Sequence, residues 1–433
     1  MQRLGLDSAE QYRGGKSEVF VPAQNEREEL RPCRELCAER LKLSGSGVWD
    51  PVPFLSDLFY MPYIEPRVNQ FDIKPPKDVL PDLSRVDRAE VLKLCKVWDL
   101  RGLLRIFPEH CGPKHRWGLV KVFNNYKSPV ADRQIGDRRG MNFCEGKISG
   151  PSKTLPNATS LLQLCPRRFT EMLSGAVTDR RDFYHQFKVS DEKACGNALF
   201  PPFLADELKG FSAFQLMVER ETAQGRISDR HVVGDRLGLS PKPILLDTER
   251  YVACFGALYQ GDHLGVEYAT DAHANLMRSW GLLDDERRLQ GSRPILYDDV
   301  CAGLIIDDMF FVSSETAQNL SCLNESLAVR QLGVAKRAYD EEGLLGSDDK
   351  DVLGDVVFKV CGAEVDSSWK SVKNGVVVAG APKEKRLVLG ALSSAAACLR
   401  FTSDALHSCL IGSWVSALLM RRQAMAFLNE LFM

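Results

Sequence analysis

Two adjacent aspartates, Asp307 and Asp308, lie between two short apolar segments of the chain. Residues 302–306 before them and residues 309–312 after them are almost wholly apolar, which predicts a β-hairpin with buried strands and a turn that carries both carboxylates. Carboxylates a few ångströms apart raise each other's pKa, and burial raises both further. A hard divalent cation such as Mg²⁺ prefers carboxylate oxygen and would relieve that repulsion, so the pair is a candidate metal site.

An Asp-Asp pair is also common in solvated turns, because aspartate tolerates turn geometry and caps its own backbone. Transfer of a phosphoryl or nucleotidyl group by two metals needs further carboxylates from another strand. Asp179 is the candidate, because residues 176–179 are typical of a short strand that ends in an aspartate, although such a residue is often only a helix cap. A second pair, Asp298 and Asp299, has shorter apolar flanks, and we interpret it as a solvated turn.

A basic segment lies upstream of these aspartates. Between residues 114 and 153 there are nine lysines and arginines against three acidic residues, whereas the whole chain has a formal net charge of −2. Attraction to a polyanion must therefore be local, and this segment is the candidate phosphate-facing surface. It contains Arg133, Asp137, Arg139 and Asn142, which could equally form a surface cluster of ion pairs.

Four groups of residues are most informative when they are considered together, in their order along the chain. In chain order they are Arg133, Asp137, Arg139 and Asn142; Asp179 with Tyr184 five residues later; Gln260-Gly261 before a helical pattern; and Ile305-Ile306-Asp307-Asp308-Met309. With these motifs the chain resembles a retroelement reverse transcriptase, an RNA-directed DNA polymerase built from fingers, palm and thumb. The resemblance covers about residues 86–366, at the level of motifs.

The resemblance implies a catalytic centre. In it, Asp179, Asp307 and Asp308 would hold two Mg²⁺ (or Mn²⁺) ions for nucleotidyl transfer to a primer 3′ end. Lys350 lies in a looser match to a later palm motif and would protonate the departing pyrophosphate. A lysine after two aspartates is more often a solvated loop residue.

The resemblance also implies a nucleotide and template surface. Arg133 would grip the incoming triphosphate, since a guanidinium suits phosphate oxygens. Tyr184 would pack under the sugar and exclude a 2′-hydroxyl, although tyrosine is also a common core residue. Two further groups complete the expected set. Gln260 and Gly261 would shape the pocket beside the nascent base pair. Asp137, Arg139 and Asn142 would brace the fingers and the template surface.

Strand and helix patterns intermix without a regular βαβ repeat, which predicts an α+β protein. By the resemblance this is a right-hand polymerase with fingers and palm, formed by an antiparallel sheet with packed helices, and a partial helical thumb. Three segments are expected: an N-terminal extension over 1–82 that is partly irregular, fingers and palm over 83–374, and a helical thumb-like segment over 375–433. Helices are predicted over 86–104, from residue 157, and over 409–420.

Composition restricts the class of protein. The chain is 44% apolar and 26% charged, as in an ordinary globular protein. Its thirteen cysteines are scattered, and residues 1–20 lack an apolar signal segment, so we expect an intracellular, reducing compartment, cytoplasm or nucleus, and no membrane partner. The expected partners are an RNA or DNA template with its primer and deoxynucleoside triphosphates.

Two alternatives remain at this stage. The chain could be a degenerate, catalytically inactive retroelement fragment that keeps the palm fold and nucleic-acid binding. It could also be an unrelated α+β interaction protein, in which case the ordered motifs are accidental. The sequence does not fix the oligomeric state.

Overall fold

The computed structural model describes residues 33–164, 166, 171–224, 249–291, 293, 299–316, 325–374 and 377–428. The strands are β1 (Cys33–Arg34), β2 (Leu104–Pro108), β3 (Lys121–Ser128), β4 (Ala131–Asp137), β5 (Glu171–Asp179), β6 (Phe203–Leu204), β7 (Arg250–Phe255), β8 (Val300–Ile305), β9 (Asp308–Thr316), β10 (Val352–Asp355), β11 (Val357–Val360), β12 (Ala363–Asp366) and β13 (Val378–Gly380). The α-helices are α1 (Asp57–Ile64), α2 (Arg88–Asp99), α3 (Arg139–Cys144), α4 (Asp191–Cys195), α5 (Ala205–Leu208), α6 (Ser212–Ala223), α7 (Gly265–Ser279), α8 (Leu327–Glu342), α9 (Trp369–Val372), α10 (Lys383–Ala397) and α11 (Asp404–Leu418).

The strands form four antiparallel sheets. The central sheet has the order β10-β5-β9-β8, and the other three have the orders β1-β3-β4, β2-β7-β6 and β11-β12-β13. Strand pairing within every sheet is antiparallel. Helices mixed with antiparallel sheets confirm the predicted α+β class.

Strand β9 of the central sheet is buried on both faces over residues 309–312, which explains the unbroken apolar sequence there. In β9, Met309 and Phe311 belong to a core shared with α7 and α8, whereas Phe310 and Val312 belong to a second core shared with β11 and β12. Successive side chains of a strand point to opposite faces, so a strand covered on both sides needs apolar residues throughout. The apolar run beside the aspartates therefore follows from the position of β9 in the middle of the fold.

Helices α7 and α8 cover the face of the central sheet that lies toward the first core. Ala269, Ala272 and Leu276 recur on α7 at helical spacing and are fully buried. Ser326 caps the N-terminus of α8, where its side chain accepts a hydrogen bond from the Val329 backbone, and Gly343, with φ of 68°, caps the C-terminus. A glycine in the left-handed region is a common helix C-terminus, because it lacks a Cβ.

Some predicted elements have different bounds in the structure. The helix predicted over 86–104 ends at Asp99, since Gly102 adopts φ of 69° and residues from Leu104 onward form β2. The segment from residue 157 forms a short 3-10 helix (Ala158–Gln163) and not an α-helix. The C-terminal helix is present as α11; none of its residues is buried, and Trp414 donates a hydrogen bond to Ser393 of α10 (2.8 Å).

Residues 33–82 are integrated into the body of the fold, whereas residues 1–32 lie outside the described range. Strand β1 pairs with β3. Trp49, Phe59 and Tyr63 are 2% exposed or less, and the Trp49 indole donates to Glu342 at the end of α8 (3.2 Å). Among the described helices, none combines the length and the apolar composition that crossing a bilayer requires.

Candidate active site

The predicted hairpin turn is present between β8 and β9. Ile305 pairs with Asp308, and Ile306 and Asp307 form the two-residue connection. Ile306 has φ of 53°, in the left-handed region. This conformation is rare for a β-branched residue and costs about 1–3 kcal/mol, so the surrounding structure must stabilise the turn.

Strand register brings a third aspartate to this turn. Strand β5 pairs with β9 over nine residues, and the last pair is Asp179 with Asp308. One carboxylate oxygen from each of Asp179, Asp307 and Asp308 lies within 4.8 Å of the others. Three carboxylates from two separate parts of the chain therefore converge at one end of the central sheet. We call this group the aspartate centre.

The aspartate centre carries uncompensated negative charge. Burial, then Asp179, raises the pKa of Asp307 to about 6. Burial, then Asp307 and Asp179, raises the pKa of Asp308 to about 7. The Lys350 ammonium lies 2.5 Å from Asp179, and this hydrogen bond raises the pKa of Lys350.

These observations test whether a divalent cation fits here. The donors are oxygen atoms from carboxylates, which hard cations prefer. Both raised pKa values report repulsion and desolvation that a cation would relieve, and one contacting lysine does not balance three carboxylates. The residues present therefore fit a site for one or two divalent ions.

The loop after α8 positions Lys350 beside Asp179. Ser347 donates its backbone N–H to the Asp179 carbonyl (3.0 Å), and a short 3-10 helix (Asp348–Lys350) follows. On the same loop, the Leu345 backbone N–H donates to the Gln186 side chain (2.7 Å). Lys350 thus reaches the aspartate centre from a segment anchored to the end of β5.

Tyr184 follows the strand that ends at Asp179. It belongs to a 3-10 helix (Phe183–Gln186) that comes after β5. Burial raises the pKa of Tyr184, and the charge of Asp307 raises it further. The ring contacts the start of α7, where a Cβ added at Gly265 would lie 3.2 Å from the Tyr184 ring.

The turn at Gln260 and Gly261 packs directly on β4. The Gly136 N–H donates to the Gln260 carbonyl (2.9 Å). Gly261 has φ of 128°, and a Cβ there would lie 2.0 Å from the Gly136 carbonyl oxygen, so only glycine fits. Asn142 donates its side-chain amide to the Gly261 carbonyl (2.7 Å).

The other residues of the basic segment separate into two groups. Arg133 is exposed on β4, and its charge lowers the pKa of Asp307. Asp137 and Arg139 instead form a bidentate ion pair with each other (2.8 and 2.7 Å). Asn142 contacts the Gly261 turn as described above, so the structure connects Asn142 to that turn and Asp137 to Arg139.

A second acidic cluster was not found from the sequence. Arg138 contacts Glu145 and Asp262 (3.0 Å each), and Lys193 contacts Asp262 (2.9 Å). His263 lies 3.6 Å from Glu145. We call these five residues the buried joint, because they connect β4 and α3 to α4 and to the start of α7.

The buried joint has metal-ligand residue types but balanced charge. Glu145, Asp262 and His263 offer ligand atoms within 4.8 Å of one another. Two buried cations, Arg138 and Lys193, already neutralise the two carboxylates. Burial alone would raise the pKa of Asp262, but Lys193 and Arg138 outweigh it and hold that pKa well below the usual range. A divalent cation would add unbalanced positive charge, so the joint is better described as structural.

Two other residues near the aspartate centre escaped sequence analysis. His273 and Tyr339 are fully buried on α7 and α8, and they belong to no motif that the sequence made recognisable. The competing pair at 298 and 299 is only partly described. Asp298 lies outside the described residues, and the Asp299 carbonyl accepts a hydrogen bond from Ser314 (3.1 Å).

No family model matches this chain, and no curated protein matches it. Similar solved structures include the foamy viral protease-reverse transcriptase in complex with dsDNA, with 11% identity, a TM-score of 0.44, and coverage of 82% of this chain and 52% of that chain. A dRH form with ds DNA has 11% identity, a TM-score of 0.43, and coverage of 80% and 42%. The native prototype foamy virus protein has 12% identity, a TM-score of 0.35, and coverage of 68% and 27%. This chain thus spans about half of those chains or less.

Proposed function

We propose that this chain is an RNA-directed DNA polymerase of a retroelement, which adds deoxynucleotides to a primer 3′ end. The observation that carries the proposal is the convergence of Asp179, Asp307 and Asp308 at the end of the central sheet. Mg²⁺ or Mn²⁺ held by these carboxylates would activate the 3′-hydroxyl and stabilise the leaving pyrophosphate.

In this proposal the central sheet with α7 and α8 is the palm. The sheets β1-β3-β4 and β2-β7-β6 supply the fingers, and α10 and α11 form a partial thumb. Residues 33–82 then belong structurally to the fingers and palm of 83–374, since β1 extends the β3-β4 sheet.

Arg133 supplies the positive charge that a triphosphate needs next to the aspartate centre. It is exposed and its charge lowers the pKa of Asp307, so its guanidinium is available to phosphate oxygens. Guanidinium groups bind phosphate in a bidentate manner that lysine does not reproduce. The Asp137 and Arg139 pair holds the start of α3, from which Asn142 contacts the Gly261 turn.

Tyr184 and the Gln260-Gly261 turn form the sides of the proposed nucleotide pocket. The Tyr184 ring is fixed by packing on Gly265, so it presents a rigid surface to a sugar and would exclude a 2′-hydroxyl. The turn is fixed on β4 through Gly136. Both surfaces are held by backbone contacts, which favours a pocket of constant width.

Lys350 is placed to act on the leaving group. Its hydrogen bond to Asp179 raises its pKa and keeps the ammonium protonated, as a general acid requires before transfer. The side chain is 61% exposed, so the ammonium can move from Asp179 to a pyrophosphate oxygen.

Primer extension on poly(rA) with oligo(dT) and Mg²⁺ tests the proposal. Wild type should extend the primer, whereas the Asp307→Asn, Asp308→Asn double variant should show only background. Asp285→Asn is the matched control, because Asp285 is an exposed aspartate paired with Arg278 on the surface, and it should retain wild-type activity. Equal background from wild type and the double variant would favour the inactive-fragment alternative.

A further inference from the structure

The strained turn of the aspartate centre is held from outside its own hairpin. The Ile306 carbonyl accepts a hydrogen bond from His273 Nδ1 (2.7 Å). The next carbonyl, of Asp307, accepts one from the Arg180 backbone N–H (3.0 Å). Both peptide groups of the turn are therefore fixed, one by α7 and one by the end of β5.

The contact with Ile306 defines the protonation of the His273 ring. A carbonyl oxygen only accepts, so Nδ1 carries a proton. Burial lowers the pKa of His273 to about 4, so the ring is neutral near pH 7 and Nε2 has no proton. Nε2 lies 2.7 Å from the Tyr339 hydroxyl, which must then donate to it. The hydroxyl of Tyr339 thus selects the tautomer that can bind the turn.

Tyr339 is itself fixed by its surroundings. The Arg180 guanidinium lies over its ring, 3.9 Å from the ring centroid. The same guanidinium donates to the Leu344 carbonyl (3.2 Å) and to Thr178 Oγ1 (2.6 Å). His273 and Tyr339 are 0% exposed and Arg180 is 4% exposed, so water does not compete for these bonds.

We propose that His273 and Tyr339 are positioning residues of the metal centre: His273 fixes the turn that carries Asp307 and Asp308, and Tyr339 keeps His273 in the required tautomer. The inference rests on the proposed function in one respect, namely that the three aspartates bind divalent ions. Outer residues that orient metal ligands typically change metal affinity by about 10- to 100-fold when they are replaced.

A structural role alone is the competing explanation, because His273 also packs against Phe183, with ring centroids 5.0 Å apart. The two roles differ in what a substitution must preserve. A packing role depends on the size and shape of the side chain. A positioning role depends on an N–H at the place of Nδ1, which the side-chain amide of asparagine also provides.

The test is Mn²⁺ titration of the full chain, followed by the electron paramagnetic resonance signal of free Mn²⁺, with the melting temperature measured on the same samples. His273→Phe keeps a ring but lacks the donor, and its Mn²⁺ affinity should fall by about 10- to 100-fold. His273→Asn is smaller but retains the donor, so it should melt lower yet bind Mn²⁺ within about threefold of wild type.

Two further variants separate positioning from stability. Tyr339→Phe removes a single oxygen and should weaken Mn²⁺ binding by about tenfold, and it decides the question if His273→Phe does not fold. Leu276→Ala, at a fully buried position on the same helix, removes no group that could donate a hydrogen bond to the turn; it should lower the melting temperature and leave Mn²⁺ affinity unchanged.

Two results would overturn the inference while leaving the metal centre intact. One is wild-type Mn²⁺ affinity in both His273→Phe and Tyr339→Phe; the other is affinity that follows the melting temperature across all four variants. The Asp307→Asn, Asp308→Asn double variant distinguishes both of these results from failure of the proposed function. If wild type binds Mn²⁺ no better than that variant, the metal centre itself is refuted together with this inference.

Discussion

The two acidic clusters of this chain use the same residue types under opposite electrostatic conditions. In the aspartate centre, burial and then repulsion between the carboxylates raise the pKa of Asp307 and Asp308. In the buried joint, Lys193 and Arg138 hold the pKa of Asp262 well below its usual range. Proximity of carboxylates therefore does not by itself indicate a metal site. The charge that remains after neighbouring cations are counted distinguishes a binding site from a structural network.

The clusters also differ in what they connect. The buried joint has carboxylates that are 6% exposed or less and ties β4 and α3 to α4 and α7. The aspartate centre is half-buried at the open end of the central sheet. The buried joint thus connects elements of the fold, while the aspartate centre remains partly exposed to solvent and its ions.

The largest expected effect is a contrast between two matched Asp→Asn substitutions, which should change the free energy of unfolding in different directions. Asp262→Asn leaves Arg138 and Lys193 buried without their shared partner and should lower the free energy of unfolding by about 3–5 kcal/mol. Asp308→Asn removes a carboxylate whose pKa is raised by folding, so it should leave the metal-free protein as stable or more stable. Urea denaturation at pH 7.5 with EDTA measures both. Equal destabilisation by the two variants would contradict the contrast.

The pH dependence of Mn²⁺ affinity should be the next largest effect. With pKa values of about 6 and 7, the fraction of molecules with both Asp307 and Asp308 ionised falls from about nine-tenths at pH 8 to about one-twentieth at pH 6. Mn²⁺ affinity should therefore fall by about 20-fold over this interval. Titrations at pH 6, 7 and 8 measure it, and an affinity independent of pH would contradict the raised pKa values.

The pKa shifts of the two clusters also predict opposite pH dependences for the free energy of unfolding. Raised pKa values mean that Asp307 and Asp308 stabilise the metal-free fold fully below about pH 4, and this contribution is lost as the pH rises through 6 and 7. Asp262, whose pKa is lowered, stabilises the fold above about pH 4 and loses this contribution as the pH falls through its lowered pKa.

The smallest expected effect concerns neighbouring arginines. Arg139 is 56% exposed and pairs with Asp137, so Arg139→Gln should change the free energy of unfolding by less than about 1 kcal/mol. The side chain of Arg138, one residue earlier, is 2% exposed in the buried joint. Arg138→Gln should therefore lower the free energy of unfolding by several times as much. Urea denaturation of the two variants compares them directly, and a larger loss in Arg139→Gln would reverse the assignment of buried and exposed roles.

The sequence predicted the hairpin turn because apolar residues on both sides of Asp307 and Asp308 require strands covered on both faces. Asp179 was placed at a strand end by the same reasoning, and antiparallel register brings it to the turn. The sequence did not distinguish Arg138 from Arg139, because burial depends on which distant carboxylates approach each side chain. His273 was missed for a similar reason, since its partners come from α8 and from a turn 33 residues away.

The most direct test of the central claim is a crystal structure with Mn²⁺, in which anomalous scattering locates the ions. We expect one or two peaks among the carboxylates of Asp179, Asp307 and Asp308, and none at Glu145, Asp262 and His263. A peak at the buried joint, or none at the aspartate centre at millimolar Mn²⁺, would contradict the account.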